Sequence, residues 1–400
     1  MKSKRPSKPG LLPRVQAHRR AGTGQRVIVC GAGGNIGSHL LPLIARLEGV
    51  GHLTLVDPDL YEPKNIHSQD IVPSEIGQPK AEVQARRARR LNPRLEVSAI
   101  VDRIENVPLG LLRGDMILAG LDSKESRRWV NQIAWRLGVP WIDAGVEASG
   151  LLARINFYVP GEGQPCLECS WDERDYAQLA VRHPCQPDDS QTPPSNAPAC
   201  LGGLAAALQA IECQKWLKGE GDHALMGRQI LMDAATHQYF VTSYRRNPSC
   251  RFDHQTCQIS PWRAGPRDLS LGSVLRLGQR PAGQRSALLS FGGKSIIKRL
   301  DCPGCGFTRA MFRLEGRIRA PDRRCPQCGR KLLAAGFNMK AHLAADTLGP
   351  RDTARSLASL GLRAGDVITI SDGRRERHYE LGAATRPPAP AGNPKRRRLI

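Results

Sequence analysis

The sequence predicts an α/β protein: a doubly wound, mostly parallel sheet, followed by a small Cys-rich, β-containing module. Strand-like and helix-like patterns alternate through residues 25–150, and such alternation implies βαβ units. The first unit carries a glycine-rich turn and a strand-end acid. Two Cys-x-x-Cys pairs, at Cys302 and Cys305 and at Cys325 and Cys328, stand apart near the C-terminus.

Residues 1–24 read as a disordered basic arm. They hold Lys2, Lys4, Arg5, Lys8, Arg14, Arg19 and Arg20 and no acid, and such blocks stay solvated. Residues 27–30 are apolar and β-branched, the mark of a buried strand. Gly31, Gly33, Gly34 and Gly37 follow at once, in a Gly-x-Gly-x-x-x-Gly spacing one residue longer than the common fingerprint. Residues 38–47 then have helical spacing, and 53–56 form a second apolar strand ending in Asp57. Glycines let a backbone approach phosphates, and a helix N-terminus offers N–H groups to an anion. An acid about 20 residues on suits a ribose hydroxyl. Residues 97–101, 116–119 and 141–143 continue the strands, and 81–91 and 126–137 the helices.

Residues 153–159 alternate like a later strand. Residues 160–198 break the pattern with Pro, Gly, Asp, Ser and Gln, and a loop of that length is functional or disordered. Residues 201–217 are a long, alanine-rich helix, and 229–234 with 238–244 read as a hairpin. Residues 258–300 are Gly-, Pro- and Arg-rich with short apolar runs. Residues 339–361 read as helical, 367–381 as a hairpin turning at Asp372-Gly373, and 383–400 as a basic, Pro-rich tail. The expected domains are therefore 25–257, with a crossover loop at 160–198, and 258–382.

The chain has 400 residues, enough for two domains and tails. Aromatic residues make up 5%, so the expected core is aliphatic. The net charge is +22, much of it in the tails. Basic tails can touch nucleic acid or an acidic protein. No aromatic residues interleave with these charges as a stacking surface requires, so nucleic acid is not the favoured partner. No apolar run approaches the roughly 18 residues of a membrane span. The basic N-terminus lacks an apolar h-region, and the expected location is cytoplasmic. There, 12 cysteines point to metal or catalysis rather than disulfides.

Asn65 and Gln69 lie in a polar loop after Asp57-Pro58-Asp59. Gly77-Gln78-Pro79-Lys80 precedes a helix, so Lys80 can aim its ammonium at a phosphate. Gly120-Leu121-Asp122 closes the fourth strand, at the edge where open α/β sheets place ligands. A carboxylate beside phosphates there suits a magnesium ligand. Cys302, Cys305, Cys325 and Cys328, with Gly306 and Gly329 after each pair, read as a zinc ribbon: four thiolates, tetrahedral, closed and structural. Cys30 and Cys213 read as core residues.

In chain order, GAGGNIGS, LTLVDPD, NIHSQ, GQPKAE, LNP, GLDSKESRRWVNQ, CLEC, LQAIE and MDAATHQYFVTSYRRNPSC resemble the ThiF/MoeB family, adenylating enzymes related to ubiquitin-activating enzymes. The resemblance covers residues 26 to about 256. It implies a Rossmann-like fold, a homodimer, and ATP with Mg2+. It also implies activation of the C-terminal carboxylate of a ubiquitin-like or sulfur-carrier protein as an acyl adenylate. By resemblance Gly33 and Gly34 line the phosphates, Asp57 takes the ribose with Asp59 beside it, and Asn65 and Lys80 hold phosphates. Asp122 takes the magnesium, and Arg127 joins the nucleotide site. The family's NLNRQ-type loop places an arginine where this chain has Ser68. His67, Arg127 or a partner-subunit basic residue are the candidates to compensate.

The resemblance also implies a second, split zinc site. Cys166 and Cys169 are one half, and Asn247-Pro248-Ser249 leads to Cys250 in the other, but position 253 is Asp. His254 or Cys257 then supplies the fourth ligand, and His254 is favoured because the shorter spacing closes a chelate more readily. Relatives that form a thioester carry the nucleophile in the crossover loop. Cys185, beside Arg182 and His183, fits that role, and Cys200 at a helix start is the alternative. Some relatives only adenylate. The C-terminal module is expected to recruit the carrier or a conjugating enzyme, as in bacterial ubiquitin-like conjugation systems. The alternatives are a dinucleotide-dependent oxidoreductase and a non-enzymatic basic zinc protein binding nucleic acid through residues 258–400. Lys80 and Asp122 favour ATP.

Overall fold

The computed structural model describes residues 24–180, 197–278 and 287–382. The first apolar run becomes β1 (Gln25–Cys30), and the glycine turn feeds α1 (Asn35–Ile44). Then come β2 (Val50–Val56), α2 (Lys80–Leu91), β3 (Glu96–Ile100), β4 (Met116–Ala119), α3 (Lys124–Leu137), β5 (Trp141–Glu147) and β6 (Leu152–Tyr158). A short α4 (Glu173–Ala180) precedes the long α5 (Ala199–Leu217) and the hairpin β7 (Arg228–Asp233), β8 (Gln238–Ser243). The strands make one sheet in the order β3-β2-β1-β4-β5-β6-β7-β8. From β3 across to β5 the pairing is parallel, and from β5 to β8 antiparallel. Strand order reverses between β1 and β4, which makes their C-terminal ends the topological switch point.

Strand side chains alternate between two faces, and here both faces are covered. Val27, Val29, Leu53 and Leu55 pack with Leu40, Leu41 and Ile44 of α1, Ala85 and Ala88 of α2, and Ala205 of α5. Ile28, Cys30, Val56, Ile117 and Trp141 pack with Val130, Ile133 and Ala134 of α3. The cysteine in β1 and Cys213 in α5 are core residues, and burial pushes both thiols up to about 12. No helix among the described residues is long and apolar enough to cross a membrane.

The rest of the chain forms β9 (Ile259–Pro261), α6 (Leu271–Arg276), β10 (Leu288–Ser290), β11 (Ile296–Asp301), β12 (Thr308–Leu314), β13 (Met339–Lys340), β14 (His342–Ala344), α7 (Pro350–Thr353), β15 (Val367–Ser371) and β16 (Glu376–Glu380). One sheet has the order β14-β10-β15-β16-β9, the other β12-β11-β13.

Two expectations are corrected. Residues 339–361 hold one short α-helix, α7, and a single 3-10 turn at Ala345–Thr347; β13 and β14 occupy the start. Leu343 pairs across to Leu289 and shares a core with Leu357 and Leu360, so sheet pairing overrides the helical spacing. The stretch 160–198 is not all loop. Asp172 accepts the backbone N–H groups of Arg174 and Asp175 and starts α4, while 181–196 lie outside the described residues.

The C-terminal part is clamped to the segment between β3 and β4. Gly110 N–H donates to Gly365 O at 2.8 Å. Arg317, nearly buried, lies 3.3 Å from Asp102. Lys294 Nζ donates to Val107 O at 3.2 Å and to Asp366 Oδ1 at 3.0 Å. Burial pulls the Lys294 pKa down, and Asp366 opposes the shift. Removing one partner of a buried pair strands the other charge. Asp366→Ala is therefore expected to cost about 3–5 kcal/mol, read as a lower midpoint in urea unfolding.

Candidate functional site

The site is built at the switch point. Gly31 has φ +76°, and a Cβ there would meet Gly120 O at 2.4 Å, so the exits of β1 and β4 touch. A Cβ on Gly33 would lie 2.4 Å from Lys80 Cβ and 2.8 Å from the Tyr61 hydroxyl. That glycine lets Lys80 lie against the turn. Lys80 is only 7% exposed, and its Nζ reaches Asp59 Oδ2 at 3.4 Å. Asp57 is buried and accepts the backbone N–H groups of Gly33 at 2.9 Å and Asp59 at 3.1 Å. Burial raises its pKa, opposed by Lys80 and the two N–H donors.

The Gly33 N–H is thus engaged by Asp57, and the Gly34 N–H by Gly31 O. The α1 N-terminus follows at once. Gly34 is its N-cap, with no side-chain cap, so the first-turn N–H groups are the donors an anion would meet. Asn65 is buried, and its Oδ1 accepts the Glu62 N–H at 2.8 Å. His67 is exposed. Asp122 is exposed just past the end of β4. Ser123 caps α3 behind it, accepting the Ser126 N–H at 3.0 Å. Arg127 grips the same loop from behind: Nη2 donates to Leu121 O at 2.5 Å and to Ala144 O at 3.3 Å. Its Nε lies 3.2 Å from Asp143 Oδ1.

Sequence reasoning missed Asp143, Arg154 and Glu168. In the sequence Asp143 only ends a strand pattern; in the structure it is fully buried, and a buried acid demands a partner. Glu168 is buried inside the Cys166–Cys169 knuckle. It accepts from Arg128 Nε at 3.1 Å, Gln132 Nε2 at 3.3 Å and the Tyr176 hydroxyl at 3.1 Å. The knuckle therefore holds α3. Cys185, Arg182 and His183 lie outside the described residues. Cys200 is exposed in the first turn of α5.

Two groups of metal-type ligands converge. The ligand atoms of Cys166, Cys169, Cys250 and His254 lie within 4.8 Å of one another. Cys166 Sγ is 3.9 Å from Cys250 Sγ, and Cys169 Sγ is 3.2 Å from His254 Nε2. His254 Nδ1 lies 2.7 Å from Phe252 O, so Nδ1 carries the proton and Nε2 offers its lone pair to the cluster. The Cys166 thiol and the backbone N–H groups of Asn247 and Cys166 hold the Cys169 thiol down to about 4. Asp253 turns away to a two-pronged pair with Arg136 at 2.7 and 2.9 Å. Cys257 stands outside the group.

Cys302, Cys305, Cys325 and Cys328 form the other group. Cys302 Sγ is 3.4 Å from Cys328 Sγ, and Cys305 Sγ is 3.5 Å from Cys325 Sγ. A zinc–thiolate tetrahedron with bonds of about 2.3 Å has edges of about 3.8 Å, so four thiolates at this spacing fit the ion. Backbone N–H groups of Gly304 and Cys305 pull the Cys302 thiol down to about 6.

The ThiF family's sequence model matches residues 17–252, ending before the second cysteine group. The SAMP-activating enzyme E1 of Haloferax volcanii is 30% identical over 231 residues, spanning 56% of this chain and 78% of its own length. The sulfur carrier protein adenylyltransferase of Thermus thermophilus is 32% identical over 238 residues, spanning 56% and 80%. The crystal structure of Escherichia coli MccB with succinimide aligns at TM-score 0.47 and 25% identity, covering 57% of this chain and 66% of that one.

Proposed function

This chain belongs to the ThiF family, and from that premise we propose that it adenylates the C-terminal carboxylate of a ubiquitin-like or sulfur-carrier protein. The observation that carries this reading is the switch point itself: the turn into α1 touches Lys80 at Gly33 and the exit of β4 at Gly31, and Asp122 follows that exit. A carboxylate oxygen of the carrier attacks the α-phosphorus of ATP. The bond from that phosphorus to the bridging oxygen breaks, and pyrophosphate leaves with the electron pair. Positioning and charge neutralisation do most of such catalysis. Lys80 and the first turn of α1, entered through Gly33 and Gly34, would hold phosphates, with Asn65 shaping the loop beside them. Asp57 and Asp59 stand toward the ribose. Asp122 would hold Mg2+, whose charge offsets that of the departing pyrophosphate.

In the same reading each cysteine group holds one zinc in a closed, structural site. A cytoplasmic, reducing setting suits such thiolate clusters. The module from about residue 258 recruits the carrier or a conjugating enzyme, and two copies of the chain assemble as a homodimer.

The test is ATP–pyrophosphate exchange with small carrier proteins, each compared with a C-terminally amidated form. Exchange only with the free carboxylate supports the reading; exchange with neither form of any carrier removes it. The same carriers test the thiol. A reductant-sensitive adduct is expected with wild type and not with Cys185→Ala, while exchange persists, because adenylation precedes thiol capture. An adduct that survives Cys185→Ala and disappears in Cys200→Ala moves the nucleophile to Cys200. No adduct at all means the enzyme stops at the adenylate.

A further inference from the structure

Asp143 is fully buried on β5, and two guanidinium groups share it. Arg127 Nε lies 3.2 Å from its Oδ1, and Arg154 Nη2 lies 3.6 Å from its Oδ2. Asn156 Nδ2 donates to the same carboxylate at 3.3 Å. Gly145 makes room for both arginines: a Cβ there would lie 3.1 Å from Arg127 Nη2 and 3.2 Å from Arg154 Nε. Two like charges are thus brought together over one glycine with a single acid between them.

Strand register places this pair beside the site. Ala119, the last residue of β4, pairs with Asp143 on β5, and Gly145 on β5 pairs with Arg154 on β6. Loop 120–122 leaves β4 at that level, and Arg127 already holds it through Leu121 O. Asp122 acts on Arg127 only through space. If Asp122 serves a cation, the group keeps two positive charges against one negative. Arg127 Nε and Asp143 Oδ1 complete no hydrogen bond among the described residues. Arg154 keeps 33% of its side chain exposed, and Asp143 is its one ion-pair partner among the described residues. A planar guanidinium with free donors is suited to a carboxylate or phosphate oxygen pair.

We propose that Arg154, with Arg127, forms an oxyanion subsite beside loop 120–122 that takes a substrate carboxylate or phosphate, with Asp143 as the residue that positions both arginines. The proposal rests on the adenylation reading and deepens it. The oxyanion has two sources there, the nucleotide and the carrier.

The experiment uses the full chain, wild type against Arg154→Gln and Arg154→Lys. Calorimetric titration with Mg2+ and the non-hydrolysable analogue AMPCPP reads the nucleotide arm. A loss of about tenfold or more in AMPCPP affinity in Arg154→Gln, partly recovered in Arg154→Lys, supports the subsite with a phosphate in it. Unchanged AMPCPP affinity with a carrier KM raised about tenfold in pyrophosphate exchange, at unchanged KM for ATP, supports it with the carboxylate. Arg154→Gln with neither constant changed overturns the proposal, as does a variant altered only in melting temperature. If wild type shows no exchange with any carrier, the adenylation reading falls. The AMPCPP arm then decides alone, and unchanged affinity overturns the subsite.

Discussion

Asp122→Ala loses ATP–pyrophosphate exchange by a factor of about 10²–10³ or more, and folds as wild type. Both halves follow from its placement. The residue is exposed and makes no hydrogen bond or ion pair among the described residues, so truncation removes no packing and no direct contact. Substitutions of that kind stay within about 0.5 kcal/mol. The loop that carries it is held by other groups, the Arg127 bond to Leu121 O and the Ser123 cap. Its carboxylate acts on Arg127 through space, at the edge where a phosphate-bound cation is expected. Asp122→Asn keeps the shape and should show the same loss with a raised Mg2+ requirement. Exchange at the wild-type rate in Asp122→Ala removes this residue from the mechanism, provided the thermal melt is unchanged.

Metal analysis of the purified chain is expected to find about two zinc ions per chain. His254→Ala and Cys302→Ser each reduce this to about one, from different sites. The two losses should differ in consequence. The Cys166–Cys169 knuckle holds α3 through buried Glu168, and Leu167 N–H donates to Asn131 Oδ1 at 3.1 Å. Emptying that site loosens the helix that carries Arg127 and follows Asp122, so exchange falls with the metal. Emptying the Cys302 group loosens β11 to β13, which lie beyond the matched family region, and exchange persists. Structural zinc contributes apparent binding energies of about 10–16 kcal/mol, so each loss should also appear as an early melting phase. Retention of both ions in His254→Ala, with loss in Cys257→Ala, would assign the fourth ligand to Cys257. The His254 ring argues against that outcome, because Phe252 O fixes its proton on Nδ1 and aims Nε2 at Cys169.

Much of the fold was legible because periodicity is local. Strands such as 27–30 and 116–119 are apolar on both faces since helices cover both sides of a parallel sheet, and that alone marks them in the chain. The cysteine pairs were legible for the same reason, as chelate spacing is set within a few residues. Residues 339–361 depart from their helical pattern because Leu343 pairs with distant β10 while Leu357 and Leu360 reach the same core from outside any strand. The turn after β1 was legible as glycines, but not the engagement of the Gly33 N–H by Asp57.

The sequence by itself determined the layered α/β sheet, the glycine turn after its first strand and the local Cys-x-x-Cys pairs, because each is written in local pattern. Only the tertiary structure decided that His254 rather than Cys257 joins the cluster, that Glu168 locks the knuckle to α3, and that Asp143 gathers Arg127 and Arg154. Those are contacts between side chains on different strands and helices. Their energy comes from burial and charge pairing across space, and neither leaves a period in the chain.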